Sequence, residues 1–325
     1  MKYKIVPNYI KIEPNIGGIM KLKTLQIGTD LREHFPYSCN SIPLSICIDN
    51  FDDYFHKEWG CHWHNEIEFG IIRNGVVQFT IFNGQDQLCK ELHQGDGIFI
   101  NSGCLHSAKA LVPNTVIAEF ALPITFFQKP FENSAHQIVQ PVTESAVTDI
   151  ILKGQNEEDK LLLSGIQEIC TVTDEETGYE LHFIEMICRI WRLLTIRILQ
   201  NKRAGQIPVT NRVQEQRMKQ FLSFIHAHYS ENISIDDIAK SASVSRTECF
   251  RCFHTILKKS PTEYLTEYRL SMAAMLLANT DKAFSDISVS CGFNSPSYFG
   301  KLFREQCGLS PKKYREYFSN YDSFL

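Results

Sequence analysis

The sequence predicts an α+β, multidomain chain. An antiparallel β-barrel comes first, then a helical middle segment, then an all-α domain with two helix-turn-helix units. Three observations carry this. Short apolar runs punctuated by glycine fill residues 66–120; a 3-4-3-4-3 apolar spacing runs from Leu181 to Ile198; and a two-helix pattern occurs twice after residue 205. The boundaries expected from these are 1–135, 136–204 and 205–325. At 325 residues and 43% hydrophobic, the chain is long enough for more than one core.

The barrel comes from hairpin punctuation. Ile67–Ile72 is followed by Asn74-Gly75, and Val76–Phe82 by Asn83-Gly84. Asn-Gly between apolar runs suits a type I′ turn, which needs positive φ at both positions. Gly95-Asp96-Gly97 precedes Ile98–Ile100, and Thr115–Phe120 adds another strand. Even spacing without a long helix points to an antiparallel barrel or jelly roll.

A chemically capable cluster lies within these strands. His62, His64 and Glu68 share parity on a regular strand, and His106 follows Gly103 from another. Three imidazoles and a carboxylate suit a divalent transition metal, or a small organic ligand needing donors and acceptors. Trp63 has the opposite parity and faces away. The spacing His62-x-His64-x₃-Glu68-x₆-Gly75 resembles the first motif of the cupin family, and Gly95-x₅-Asn101-x-Gly103-x₂-His106 the second. Asn101 stands where the family usually has Pro, and Lys109 and Ala110 where it has Asn. The resemblance implies a cupin-like barrel with His62, His64, Glu68 and His106 as effector-binding residues and as ligands of a metal, if one is held. No cofactor is required.

The middle reads as helical: short helices over Glu144–Leu152 and Asp159–Cys170, and a long one over Glu180–Lys202. In the long helix Leu181, Ile184, Cys188, Trp191, Thr195 and Ile198 step as an a/d seam, and Phe183, Ile187, Ile190 and Leu194 form another apolar face. A helix apolar on two faces can touch both its own barrel and a partner, so a homodimer is expected here; packing on the barrel alone is the alternative. Glu185, Arg189, Arg192 and Arg197 interrupt the stretch and exclude a membrane span. Ala204–Pro208 reads as a linker.

The back of the chain repeats. Asp237-Ile238-Ala239 recurs as Asp286-Ile287-Ser288, and Ser260-Pro261-x₂-Tyr264 as Ser310-Pro311-x₂-Tyr314. Ser234 with Asp237, and Ser245 with Glu248, suit helix N-termini. Ser285 is the expected cap in the second copy, with Gly292 in its turn and Ser295-Pro296 opening the next helix. Cys249, Cys252 and Phe253 make one apolar stripe; Phe299, Leu302 and Phe303 make its counterpart. The opposite faces carry the candidate DNA-contacting residues: Arg246, Thr247, Phe250 and Arg251 in one copy, with Ser297, Tyr298, Lys301 and Arg304 in the other. Cations and hydroxyls on a short helix suit phosphates and base edges in a major groove. Phe250 either meets a thymine methyl or turns inward, and Cys249-x₂-Cys252 is either core or half of a zinc or redox site. Charge adds modest support: residues 205–325 carry 15 basic and 12 acidic side chains, +3, against 18 and 25, −7, in the rest.

Ile238-Ala239, Arg251-x-Phe253, Ser260-Pro261, Gly292-Phe293, Tyr298–Phe303 and Gly308-Leu309-Ser310-Pro311-x₂-Tyr314-Arg315 together resemble the AraC/XylS family of transcriptional regulators over the last 110 residues or so. Cys249 stands where Leu is usual and Lys301 where Arg is usual. The resemblance implies a non-enzymatic, sequence-specific regulator, with double-stranded DNA, a small-molecule effector such as a sugar and, for an activator, RNA polymerase as partners. A metal-dependent cupin enzyme fused to a DNA-binding domain is the rival reading, and an effector-independent DNA-bending protein a third. The 11 cysteines follow no framework spacing, and Met1–Met20 lacks the pattern of a secretion signal, so a reduced, cytoplasmic setting without a membrane partner is expected.

Overall fold

The computed structural model describes residues 22–28, 30–37, 42–82, 87–128, 134–172, 177–200 and 209–320. The expected linker, the Asn83-Gly84 turn and Met1–Met20 lie outside them.

Nine strands occur among the described residues: β1 (Ser45–Asn50), β2 (Glu58–His62), β3 (Glu66–Asn74), β4 (Val76–Phe82), β5 (Gln87–His93), β6 (Gly97–Ile100), β7 (Leu105–Ala110), β8 (Val116–Pro123) and β9 (Asp149–Leu152). They form two antiparallel sheets, β1-β8-β3-β6-β9 and β2-β7-β4-β5. Ile72, Ile98, Ile100 and Ile117 of the first share one core with Trp59, Val77, Phe79, Ile81 and Leu92 of the second. The arrangement is thus a sandwich, and no ladder closes it into a barrel among the described residues.

Asn74-Gly75 is not a hairpin turn. β3 and β4 belong to different sheets, so the chain crosses the sandwich there. Gly75 alone takes positive φ (83°), and an added Cβ would lie 2.3 Å from Thr115 Oγ1. Asn74 Nδ2 donates to Asn114 O at 2.7 Å, which ties the crossing to the neighbouring loop.

β3 is buried on both faces from Glu66 to Ile72. Ile67, Phe69 and Ile71 point outward into a core shared with two helices, α4 (Glu157–Ile169) and α5 (Tyr179–Gln200). Three short helices, α1 (Thr125–Gln128), α2 (Ala135–Ile138) and α3 (Gln140–Thr143), lie between β8 and β9. The expected helix over Glu144–Leu152 is instead a turn followed by β9, which pairs with β6 through Ile98↔Ile151 and Phe99↔Ile150. Two adjacent β-branched residues at an open sheet edge favour the strand. The described part of 136–200 therefore contributes a strand to the front sheet as well as helices.

The proposed seam on α5 divides between two faces. Trp191 and Ile198 are buried, with Trp191 stacked on Phe127 at 4.3 Å and donating from Nε1 to Ile138 O at 2.9 Å. Leu181, 73% exposed, and Ile184, 39% exposed, point outward. Arg189 Nη2 donates to Glu168 on α4 at 2.8 Å.

The C-terminal part is helical: α6 (Val209–His228), α7 (Ile235–Ser241), α8 (Arg246–Leu257), α9 (Pro261–Asn279), α10 (Phe284–Ser290), α11 (Pro296–Cys307) and α12 (Pro311–Asn320). It does not stand apart from the front. Leu31, Cys61, Phe82 and Leu105 share a core with Met218, Phe221, Leu222 and Ile225 of α6 and with Cys249, Cys252 and Phe253 of α8. Leu22 is buried among Leu270, Leu277 and Phe303.

Burial of Trp191 sets a stability test. Trp191→Ala should lower unfolding free energy by about 3–5 kcal/mol, while Leu181→Ala should change it by less than about 0.5 kcal/mol, as read by chemical denaturation.

Candidate functional site

The histidine cluster is assembled by strands from both sheets. His62 ends β2, Glu68 lies on β3, and the residues between them leave one sheet and enter the other. The expectation of one regular strand was wrong, yet the side chains converge. His62 pairs across the ladder with His106 of β7, their rings 4.2 Å apart, and the nitrogens of His62, His64 and His106 lie within 4.8 Å of one another. All four side chains are buried.

Each imidazole is fixed through Nδ1: His62 to Gly60 O at 2.7 Å, His64 to Glu66 O at 2.9 Å and His106 to Cys104 O at 2.9 Å. A carbonyl only accepts, so Nδ1 carries the hydrogen and Nε2 turns into the cluster. His64 Nε2 lies 2.8 Å from Glu68 Oε2. With acceptors at both nitrogens, His64 is an imidazolium paired with a carboxylate. Burial opposes that charge, but the hydrogen bond and charge of Glu68 outweigh it and hold the His64 pKa above its ordinary value. Burial likewise opposes ionisation of Glu68, and the His106 and His64 imidazoles overcome it and hold its pKa low.

His62 behaves oppositely. Burial first, then His106 and His64, press its pKa well below the ordinary value. Its Nε2 faces Glu33 Oε2 at 3.3 Å, and burial pushes the Glu33 carboxyl up to about 8. Two buried atoms remain without hydrogen-bond partners, His106 Nε2 and Glu68 Oε1; the 3.5 Å between His106 Nε2 and Glu68 Oε2 is too long for a good hydrogen bond.

Trp63 turns away from the cluster, its Nε1 donating to Asp30 O at 2.9 Å and the Lys219 ammonium of α6 sitting 4.6 Å over its ring. Lys219 also donates to Gly103 O, and Gly103 N donates to His64 O at 2.7 Å. Asn101 donates to Val142 O and Val147 O, both at 2.9 Å, which fixes the second motif to the segment before β9. Glu33 and Lys219 were missed in the sequence because neither has a periodic or motif signal. A cleft of about 790 Å³ between β2, β4 and β7 and helices α6 and α9 was also missed; its walls include Trp59, Gln78, His226 and Tyr268 but none of the four cluster residues.

In the C-terminal part, α7, a turn and α8 correspond to α10, a turn and α11. Ser234 and Asp237 form a reciprocal capping box, and Ser245 Oγ accepts from Glu248 N at 3.2 Å. Ser285 is not a cap: α10 begins after Ala283, and Ser285 Oγ donates to Asp286. The turns match in backbone conformation. Ser243 (φ 54°) and Gly292 (φ 78°) take positive φ at equivalent places, as do Lys258 (φ 56°) and Gly308 (φ 71°) after α8 and α11. A Cβ on Gly292 would lie 2.5 Å from Tyr229 O, beside the Arg269 guanidinium, so the second turn needs glycine for space as well.

Arg246, Thr247, Arg251, Ser297, Tyr298, Lys301 and Arg304 are exposed, and Phe250 is half-buried, 5.9 Å beneath the Arg246 guanidinium. Arg251 is held by Glu248 through two hydrogen bonds of 2.8 and 2.6 Å. Lys301 Nζ lies 3.9 Å from Glu305. Cys249 and Cys252 are core residues whose thiols burial pushes up, to about 12 for Cys249.

The chain is similar in sequence to known proteins. Residues 238–317 match a family model described as a helix-turn-helix domain. The chain is 29% identical over 299 residues to the uncharacterized HTH-type transcriptional regulator YdeC of Bacillus subtilis (strain 168), covering 91% of this chain and 99% of that protein. It is 27% identical to the lactose operon transcription activator of Staphylococcus xylosus, over 78% of this chain and 91% of that one. A solved transcriptional regulator from Chromobacterium violaceum, described as containing an AraC-type DNA-binding domain, is 31% identical and covers 32% of this chain and 94% of its own, with a TM-score of 0.32. The helix-turn-helix match and the relatives together define a DNA-binding transcriptional regulator. The chain carries an AraC-type helix-turn-helix domain and is a homologue of AraC/XylS-family regulators.

Proposed function

We propose that this regulator answers to a small hydroxyl-rich effector, such as a sugar, bound inside the sandwich by His62, His64, Glu68 and His106. The observation that supports it most is the pair of unpartnered polar atoms, His106 Nε2 and Glu68 Oε1, in a buried and otherwise hydrogen-bonded cluster. A buried polar atom without a partner costs about 1–3 kcal/mol, which an effector hydroxyl, able to donate and to accept, would relieve. The operon-linked relative adds that an activator of a lactose operon shares most of this chain's length.

The same donor set fits a divalent transition metal. His62, His64 and His106 would bind through Nε2 and Glu68 through a carboxylate oxygen, with Nδ1 of each imidazole already fixed by a carbonyl. Such an ion would supply a Lewis-acid anchor for effector hydroxyls. The residues themselves orient the ligand and exclude water; no reaction is invoked, and the chain acts as a cytoplasmic regulator rather than an enzyme.

On the output side, α7–α8 and α10–α11 act as two helix-turn-helix units. α8 presents Arg246, Thr247, Phe250 and Arg251, and α11 presents Ser297, Tyr298, Lys301 and Arg304. α9 joins them; its 19 residues span roughly 28 Å at ~1.5 Å each, a length that supports two reading helices entering successive major grooves ~34 Å apart. The exposed face of α5, with Leu181 and Ile184, pairs two copies as a homodimer, and as an activator the bound dimer would engage RNA polymerase. No helix among the described residues is long and apolar enough to cross a membrane.

Three tests follow from this reading. Arg251→Ala and Lys301→Ala should each weaken binding to a selected operator by about 1–3 kcal/mol at fixed salt, with Arg251 first released from Glu248; unchanged footprints would remove α8 and α11 from the DNA face. In a reporter strain screened against monosaccharides and disaccharides, His62→Ala with His64→Ala should abolish the response of the parent while operator binding persists. A normal response would place sensing elsewhere. Leu181→Asp with Ile184→Asp should give a folded monomer by light scattering and circular dichroism, and a persisting dimer would move the interface off α5.

A further inference from the structure

A second polar cluster lies inside the sandwich, apart from the histidines. Cys47 and Asp49 share parity on β1, and Glu119 on β8 stands directly opposite Cys47 in the ladder. One sulfur and two carboxylate oxygens, one from each residue, lie within 4.8 Å of one another. Cys47 Sγ is already 3.1 Å from Asp49 Oδ2. Asp49 and Glu119 are buried, while Cys47 is only partly so, which leaves a way in from one side.

Most of this cluster is satisfied by its neighbours. Lys23 Nζ reaches Asp49 Oδ1 at 3.1 Å and Asp53 Oδ2 at 3.2 Å. Glu119 is different. It is 6% exposed, and its Oε2 has no hydrogen-bond partner. A buried carboxylate oxygen facing a thiol and a second carboxylate lacks a donor or a cation.

We propose that Cys47, Asp49 and Glu119 form a binding site for a zinc-class divalent cation. A thiolate with two carboxylates is a mixed sulfur and oxygen donor set that zinc accepts, and three protein ligands leave one position of a tetrahedral ion open for water. Lys23 keeps Asp49 Oδ1, and Asp49 Oδ2 faces the ion. On binding, the metal–sulfur bond forms as the Cys47 S–H proton leaves to solvent, and the Glu119 carboxyl gives up its proton to solvent as its oxygen joins the ion, with no change of oxidation state. The site does not depend on the effector reading, because it shares no ligand with the histidine cluster.

Cobalt(II) is the probe that separates the two sites. A thiolate bound to cobalt gives a near-ultraviolet charge-transfer band, whereas imidazole and carboxylate ligands do not. Full-length protein, stripped with chelator and kept reduced, is titrated with cobalt(II) and then displaced with zinc. The expected result is one equivalent of the charge-transfer band, retained in the His62→Ala, His64→Ala variant and lost in Cys47→Ser. Asp49→Asn and Glu119→Gln, which preserve side-chain shape, should each weaken cobalt binding at least tenfold, with circular dichroism matching the parent. Absence of the band in the parent, its persistence in Cys47→Ser, or unchanged affinity in both folded amide variants would overturn the assignment.

Discussion

A strand buried on both faces constrains the whole front of the molecule. β3 is the third of five strands, so its outward residues Ile67, Phe69 and Ile71 must be covered, and α4 and α5 are what cover them. Its inward residues are harder to place. Glu66, Glu68, Gly70 and Ile72 face the second sheet, and two of these are carboxylates. An uncompensated buried carboxylate costs several kcal/mol. Tyr37 donates to Glu66 at 2.9 Å, and His64 donates to Glu68. The neighbouring strand adds Glu119, whose pKa burial first, then Glu68 and Asp49, raise well above the usual range. The sandwich thus has an apolar end around Phe79 and Trp59 and a polar end whose charges are paired or titrated away.

Some of this was legible in the sequence and some was not, for identifiable reasons. The duplicated C-terminal pattern was readable because its signals are local: Ser234, Ser245 and Ser295 each hydrogen-bond three residues ahead. Ser285 failed as a cap because the hydroxyl one position inside a helix has a neighbouring side chain within reach. In the front, apolar runs and their Gly punctuation located β3, β4 and β8, but such signals are silent about which strands share a sheet. Asn74-Gly75 therefore read as a hairpin although it links two sheets. Strand parity put His62, His64 and Glu68 together through a regular strand that does not exist; the convergence comes instead from the β2–β7 ladder and the crossing between sheets. The a/d spacing on α5 could not tell the face against Phe127 from the face in solvent, because both are apolar.

The joint between the two parts uses the loops that build the histidine cluster. Trp63 sits between His62 and His64 in sequence, and Gly103 precedes His106 by three residues, yet both are held by Lys219 of α6. Around them Leu31, Cys61, Phe82 and Leu105 complete a core whose other half is α6 and α8.

That shared core has a genetic consequence. Neither part owns a finished surface, since separating them would bare Phe221 and Met218 on one side and Leu105 and Leu31 on the other. Substitutions that loosen β2, β7 or the arm around Leu31 are then felt by the helices that carry α8. A screen for loss of operator occupancy would recover lesions far from any DNA-facing residue, and suppressors of a front-half lesion would be expected in α6. The phenotype of a mutation would in this molecule be a poor guide to which part had been damaged.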